Sequence, residues 1–306
     1  MFIIGQILIF FGFIIQIFNL VIDIAFIHYK KGNISQGKFK TILLDFLVLG
    51  MVSLFCAVYL IIFFLKLQSI WVGILLFAGA VFVTTVLLWI FSLTRETKKN
   101  AFSISETLIG VIEARDPNLN GHSIHVMELS LLIYSYLPLH FRRTINKENL
   151  KYAALFHDVG KLGIPESILN KPAKLNDEEW VIMKRHPEIS VKILKPLKFF
   201  DLLKEWILYH HERIDGNGYF KIPEKNIPFA ARIISVADTY SAIRMSRSYK
   251  NEKTYEEAVS IIKEVSGKQL DSTLVDIFCS IPKAEVEGCM QRVKERLQKN
   301  QENVGF

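Results

Sequence analysis

Histidines beside carboxylates are the residues of this sequence whose types and spacing could do chemistry. Five of its eight histidines occupy polar positions next to helix-forming segments: His122, His157, His186, His210 and His211. Asp158 follows His157 and Lys161 comes three residues later, which places these three side chains on one side of a helical turn. Two adjacent histidines on a helix would diverge by about 100°, so His210 and His211 could bind two different ions. Imidazole and carboxylate groups without thiolates suit iron, manganese or zinc.

Five segments between residues 113 and 280 extend this pattern. They read EARDPNLNGHSIHV (113–126), LFHDVGKLGIPESILNKP (155–172), EEWVIMKRHPEIS (178–190), YHHERIDGNGYF (209–220) and ARIISVADTYSAIRMSRSYK (231–250). In this order and spacing they resemble the HD-GYP subgroup of the HD phosphohydrolases, which are metal-dependent phosphodiesterases associated with cyclic di-GMP. The resemblance covers essentially the whole polar part of the chain and leaves the apolar N-terminal part outside it.

The resemblance implies two divalent transition-metal ions, iron or manganese, with Asp158 bridging them. The implied metal ligands are His122, His157, Asp158, His186, His210, His211 and Asp238. Asp158 and Lys161 are implied as catalytic residues, with the Lys161 ammonium on a phosphate oxygen at the reacting centre. The implied substrate contacts are Gly218, Tyr219, Arg247 and Lys250. Two close metal ions generate hydroxide near neutral pH and clamp the phosphate, while a nearby cation offsets the developing charge.

Three departures from the family pattern qualify these expectations. The Gly-Tyr-Pro motif ends in Phe220, so the turn loses the φ angle that a proline ring fixes. Asn118 stands where members with three metals carry Glu, so we expect a site with two metals. Ser246 and Ser248 replace the Asp and Pro that are usual in the stretch that carries the phosphate contacts.

The elements that must position these residues are helices. Apolar residues recur at three- and four-residue spacing from about residue 101 onward, and strand-like alternation is absent, so the sequence predicts an all-α domain. We expect an HD-type phosphohydrolase domain at 113–306, preceded by a linker helix at 94–112.

Residues near the motifs carry further expectations. We expect His125 and His140 to be surface or capping residues, and Trp180 and Met183 to belong to the core. Glu212 and Asp215 follow the histidine pair and either orient ligands or take part in the chemistry. Chain-wide, three cysteines without a CxxC spacing indicate free thiols in a reducing compartment.

The chain as a whole is too apolar for an ordinary soluble protein of its size. The chain is 51% hydrophobic, with a mean hydropathy of +0.28. Residues 2–27, 41–65 and 70–93 form three apolar stretches. Each exceeds the roughly 20 residues that a helix needs to cross a ~30 Å hydrocarbon layer. The sequence therefore predicts a transmembrane segment of three helices at 1–93.

Basic residues predict the orientation of this segment. Residues 28–40 hold four lysines and residues 95–99 hold three basic residues, whereas Lys66 is the one basic residue between the second and third stretches. The positive-inside rule then puts everything after residue 94 in the cytoplasm and the N-terminus outside the cell membrane, the inner membrane of a double-membrane cell. Most of the net charge of +7 flanks the membrane stretches, so it gives no sign of a DNA or RNA partner.

The apolar stretches predict anchoring in the lipid bilayer, and the resemblance implies an enzyme that opens cyclic di-GMP to linear pGpG, with further cleavage to GMP left open. Two alternatives remain: a catalytically weak receptor or signalling module for the dinucleotide, and a phosphohydrolase for another nucleotide. A homodimer and a diguanylate cyclase are the protein partners that would fit such an enzyme.

Overall fold

Helices make up the regular structure of the chain, as the sequence predicts. A computed structural model describes residues 2–31, 49–50, 52–62, 70–113, 121–245 and 253–304, and within these ranges it contains no β-strand. The α-helices are α1 (Phe2–Lys31), α2 (Val52–Ile62), α3 (Ile70–Glu113), α4 (His122–Tyr136), α5 (Leu139–Arg142), α6 (Lys147–Phe156), α7 (Glu166–Leu169), α8 (Asp177–Met183), α9 (His186–Leu194), α10 (Lys204–Leu208), α11 (Phe229–Arg244), α12 (Tyr255–Glu264), α13 (Ser272–Ser280) and α14 (Lys283–Val304). Short 3₁₀ helices occur at Val159–Gly163, Lys198–Leu202 and Glu224–Asn226.

The chain divides into two compact units, Met1–Ser103 and Ile104–Phe306. Two helices are long and apolar enough to cross a membrane: α1 of the first unit, over Ile3–Val21, and α3, which begins in the first unit and ends in the second, over Ile70–Gly110. The predicted second span, 41–65, is described chiefly as α2, which is too short by itself to cross a bilayer. Apart from residues 49–50, the remainder of that span lies outside the described residues, as do Lys38, Lys40 and Lys66. The described part of the chain thus holds two candidate spans where the sequence predicts three.

The second unit is organised around α4, which packs against α6 and α11. Most of α4 is buried, including Ile124, Leu129 and Ile133. Apolar residues of α6 and α11, such as Leu150 and Ile234, complete the same core. A helix buried on nearly all sides has few ways to shift, so residues at its start are held in place.

Close backbone packing joins α9 to the 3₁₀ helix at Val159–Gly163. A Cβ atom on Gly160 would lie 1.9 Å from the His186 carbonyl oxygen and 2.4 Å from the Ser190 nitrogen. The Gly160 N–H donates to Ser190 Oγ at 2.8 Å, and that hydroxyl donates to the His157 carbonyl at 3.0 Å. This contact requires glycine and places the two segments that carry His157 and His186 side by side.

Candidate metal centre

Four helix ends and the middle of a fifth helix bring all seven predicted ligand residues to one place. They are His122 at the start of α4, His157 and Asp158 directly after α6, His186 at the start of α9, His210 and His211 after α10, and Asp238 within α11. Since α10 ends before the histidine pair, the two rings do not diverge as on a helix, and their centroids are 4.0 Å apart.

Asp158 lies at the centre of this cluster and is only 6% exposed. Its Oδ2 is 3.3 Å from His157 Nε2, and its Oδ1 is 3.1 Å from His186 Nε2 and 3.9 Å from His210 Nε2. Lys161 Nζ donates to Oδ2 at 2.5 Å. The two oxygens thus face different histidines, an arrangement that suits a carboxylate shared between two ions.

Asp238 approaches the cluster from α11. Its Oδ1 is 3.0 Å from His122 Nε2 and 3.8 Å from His157 Nε2, and its Oδ2 is 4.0 Å from His211 Nδ1. Asp238 and Asp158 therefore both flank His157, with one carboxylate toward α4 and the other toward α9.

Buried atoms without hydrogen bonds indicate that this site fits a metal ion. The Nε2 atoms of His157, His186 and His210 and the Oδ1 of Asp158 are buried, and none makes a hydrogen bond to a described residue. The Nδ1 of each of these three rings bonds to a backbone carbonyl. This bond assigns the proton to Nδ1 and leaves the Nε2 lone pair directed inward, as metal ligation requires.

Ligand atoms within 4.8 Å of one another form three overlapping groups. The groups are Asp158–His186–His210–His211, His122–His157–Asp158 and His157–His210–Asp238. The groups share Asp158, His157 and His210, and together they contain seven residues. The donor set is therefore large enough for more than one ion. All the donors are imidazole or carboxylate, a set that could hold divalent transition-metal ions.

The electrostatics of the cluster favour a positive charge between the two carboxylates. Burial opposes the charged form of Asp158, but Lys161 and His157 hold its pKa well below the usual value. Burial also opposes a charge on His157, but Asp158 and Asp238 outweigh it and raise the pKa of that ring to about 10. By contrast, burial and the neighbouring His186 lower the pKa of His211 to about 3. The two anionic carboxylates thus stabilise a positive charge on His157, and they would stabilise a metal cation in the same way.

A cleft of about 960 Å³ opens beside the cluster. His122, Asp158 and Lys161 line one part of it, and apolar side chains that include Trp180 and Met183 line another. Trp180 is 43% exposed and Met183 is half-buried, so the prediction that both belong to the core is wrong. Their apolar character suited a core, but α8 carries them on the wall of the cleft.

The Gly218-Tyr219-Phe220 loop is held by Glu212. The Glu212 carboxylate accepts the N–H of Phe220 at 2.6 Å and that of Ile222 at 3.0 Å. A Cβ atom on Gly218 would lie 2.6 Å from Glu212 Cα, so the loop passes too close for any other residue. The Tyr219 ring lies 4.6 Å from the His211 ring. Glu212 therefore positions the loop against the cluster.

Two residues lie beside the cluster although the sequence did not predict them there. His125 is 1% exposed, so the prediction that it is a surface or capping residue is wrong, whereas His140 is exposed as expected. Ser241 Oγ lies 2.9 Å from the Nδ1 atoms of both His122 and His125. Burial and the neighbouring His122 lower the pKa of His125 to about 3, so its ring is neutral. The three-residue spacing of His122 and His125 on α4 was the signal that could have found it.

Other predicted contacts differ in what the structure shows of them. Arg247 and Lys250 lie outside the described residues, as do Asn118, Ser246 and Ser248. Asp215 forms an ion pair with Arg213 at 2.6 Å rather than facing the cluster.

The family of HD domains matches residues 106–274. A Thermotoga maritima protein named cyclic di-GMP phosphodiesterase is 36% identical over 197 residues, which cover 63% of this chain and 52% of the relative. A Vibrio cholerae protein of the same name is 34% identical over 188 residues, covering 57% of this chain and 38% of the relative. Another V. cholerae relative, 3′3′-cGAMP-specific phosphodiesterase 2, is 34% identical over 187 residues, and the alignment covers 60% of this chain and 35% of the relative. The chain thus spans about half the length of these curated relatives or less.

Among solved structures, the HD domain of the Listeria monocytogenes phosphodiesterase PgpH aligns with 63% of this chain and 97% of its own. The TM-score is 0.41 at 19% identity, which is too distant a likeness to support an argument about function.

Proposed function

The chain belongs to the HD domain family, and from this premise we propose that it is a metal-dependent phosphodiesterase that hydrolyses cyclic di-GMP to linear pGpG. The observation that carries the proposal is a buried Asp158 surrounded by three histidine Nε2 atoms without hydrogen bonds. The names of the relatives support a cyclic dinucleotide as the substrate.

The chemistry follows from the residues around the cleft. The seven ligand residues would hold two divalent ions, iron or manganese, which supply Lewis-acid activation of the phosphodiester and of the attacking water. Asp158 and Asp238 provide the anionic charge that retains cations in a buried site. Lys161, at the edge of the cleft, contributes a positive charge that offsets the charge developing on the phosphate in the transition state.

Substrate binding is proposed for Gly218 and Tyr219 in the loop held by Glu212, and for Arg247 and Lys250. Tyr219 packs against the His211 ring and lines the cleft, so it would form one side of the substrate site. Arg247 and Lys250 would bind the phosphate that does not react.

We also propose that residues 1–93 anchor the enzyme in the cell membrane through three spans, with the N-terminus outside and the phosphohydrolase domain, 113–306, in the cytoplasm. The length and apolar character of α1 and α3 support two of the spans. The linker proposed at 94–112 would be the continuation of α3. A reporter that is active only in the cytoplasm should give a signal when fused to the C-terminus and none when fused near Ser69.

One alternative is a phosphohydrolase that performs the same metal-dependent hydrolysis on a nucleotide with a different base. Relatives named for cyclic di-GMP and for 3′3′-cGAMP match with nearly equal identity, so the similarity leaves the base open. The other alternative, a receptor that binds without hydrolysis, rests on Phe220 in place of the family proline. Homodimerisation and binding to a diguanylate cyclase remain predictions of the resemblance.

The test is turnover by the full chain in lipid nanodiscs, loaded with iron or manganese under reducing conditions. The substrates are cyclic di-GMP, 3′3′-cGAMP and cyclic di-AMP, and chromatography separates the linear products. We expect cyclic di-GMP to be opened fastest and an Asp158→Asn control to be inactive. Micromolar binding without hydrolysis would establish the receptor instead, and faster opening of another dinucleotide would replace the substrate.

A further inference from the structure

The start of α4 depends on a side chain from another helix. Its first residue is the ligand candidate His122, and the preceding Gly121 has no side chain that could cap the helix. The first N–H groups of a helix have no partner within it and need an acceptor from elsewhere. Glu113, the last residue of α3, supplies it, because Oε2 accepts the Gly121 N–H at 2.8 Å and Oε1 accepts the Ser123 N–H at 2.7 Å. A single carboxylate thus holds the backbone on both sides of His122.

The surroundings of this contact leave little freedom. Gly121 has a φ of 81°, and a Cβ atom there would lie 2.7 Å from Val293 Cγ1 and 3.0 Å from Leu297 Cδ1 of α14. Glu113 is only 3% exposed. A buried carboxylate is tolerated only where donors surround it, so the position of Glu113 and that of the α4 terminus depend on each other.

A second link joins the same two helices. Arg296 of α14 donates to Glu106 of α3 and to Glu128 Oε1 of α4, the latter at 2.8 Å. Glu106 and Glu113 are seven residues apart, so they lie on one face of α3 two turns from each other. The end of α3 is therefore fastened to α4 at two points, one of which adjoins His122.

We infer that Glu113 is a positioning residue that couples the end of α3 to the metal ligand His122. A displacement of α3 moves the acceptor of two N–H groups and with it the backbone that carries His122. The inference rests on the metal centre proposed above but not on the identity of the substrate.

The simpler role for Glu113 would be to stabilise α4 without affecting the metal. Glu113→Gln separates the two roles because the amide has the same shape and one acceptor oxygen but turns an NH₂ group toward one of the two N–H donors. Glu96→Gln is the matched control, since Glu96 is an exposed residue of the same helix and the change in charge is identical.

The experiment measures Mn²⁺ binding to the full chain in nanodiscs, using the electron paramagnetic resonance signal of the free ion. We expect Glu113→Gln to raise the dissociation constant for the more weakly bound Mn²⁺ ion about tenfold or more, as for other groups that orient ligands. Glu96→Gln should bind as the wild type does. When Glu113→Gln is added to His122→Ala, no further loss should follow, because the residue acts through His122.

Three results would overturn the inference. If Glu113→Gln binds Mn²⁺ with wild-type affinity while His122→Ala binds it more weakly, the coupling is wrong but the metal centre is supported. Wild-type affinity in both variants removes the metal centre as well. If Glu113→Gln lowers the Mn²⁺ affinity of His122→Ala by the same factor as that of the wild type, Glu113 is a general stabiliser of the fold. Circular dichroism verifies folding, and if Glu113→Gln does not fold, Glu113→Asp replaces it, because it keeps the charge and withdraws the acceptor by one methylene.

Discussion

The histidines around Asp158 are held in two different ways on the two sides of the centre. On one side, three rings each donate an Nδ1–H to the carbonyl of the residue three positions earlier: His157 to Ala154 at 2.8 Å, His186 to Met183 at 2.9 Å and His210 to Ile207 at 2.6 Å. Each acceptor lies in the helix that precedes the ring. A few residues of local chain therefore fix both the tautomer and the orientation of each of these rings.

On the other side, His122 takes its support from distant parts of the chain. Its Nδ1 lies 2.9 Å from Ser241 Oγ of α11, which is 119 residues away, and Glu113 of α3 holds its backbone. We call the side of His157, His186 and His210 the local side and the side of His122 the distant side. The local side acquires its geometry when its short segments fold, whereas the distant side acquires it only when α3, α4 and α11 are packed together. Among the predicted ligands, His122 is therefore the one whose geometry depends most on the rest of the second unit.

Asp158→Asn should have the largest effect, because Asp158 belongs to ligand groups on both sides. The neighbouring Lys161 and His157 hold its pKa well below the usual value, so the variant removes a full negative charge at neutral pH. We expect turnover to fall to background and elemental analysis to find fewer than two ions per chain. Asp215→Asn, outside the cluster, is the control and should retain both ions. Two tightly bound ions in Asp158→Asn would show that the sides are independent sites.

Gly160→Ala should damage the local side. The new Cβ would lie 1.9 Å from the His186 carbonyl oxygen, so α9 must move away from the 3₁₀ helix. We expect the free energy of unfolding to fall by about 3 kcal/mol, the upper range for overpacking, and metal content to fall with it. Urea unfolding measures the first quantity. Gly288→Ala in α14 is the control, where the Cβ meets only the flexible Arg292 side chain at 3.4 Å. Equal stability of the two variants would mean that the contact is not rigid.

Ser241→Ala should weaken the distant side alone. Without the hydroxyl, the His122 ring loses the partner that orients its Nε2, and His125 loses the same partner. We expect metal affinity to fall about 10-fold to 100-fold for the ion that His122 ligates, as for other groups that orient ligands. Ser241→Thr retains the hydroxyl and should recover most of the affinity. If chelator titration finds equal affinity in the alanine variant and the wild type, packing of α4 alone orients His122.

The same contrast explains how much of this site the sequence could predict. The seven predicted ligand residues lie in short motifs whose spacing is readable, and the structure brings all seven together. Glu113 and Ser241 act across helices that meet only in the folded chain, so no local spacing marks their roles, whereas the spacing of His125 from His122 on α4 was readable. Trp180 was misplaced because an apolar residue on a helix reads as core whether its neighbour is protein or a cleft. The all-helical class was predictable from periodicity, which depends on the sequence alone.

The smallest effect is expected for Phe220→Pro, which restores the family motif next to the local side. The Phe220 N–H donates to Glu212 Oε1 at 2.6 Å, and proline has no N–H to replace it. The loss of this bond to a carboxylate, about 1.5 kcal/mol, is partly offset by the lower entropy of a proline in the unfolded chain. The bond from the Ile222 N–H to Glu212 at 3.0 Å remains and keeps the loop near its place.

We therefore expect turnover within about threefold of the wild type, the size of a residual change below 1 kcal/mol, and unchanged metal content. Phe220→Leu is the matched control, because it keeps the N–H and removes the ring that lies edge-on to Tyr209 at 5.8 Å. If Phe220→Pro instead raised turnover from background by orders of magnitude, the wild-type loop would be what prevents catalysis, and the protein would be a receptor. If it lost metal, the loop would support His211 through Tyr219, and the local side would also depend on distant contacts.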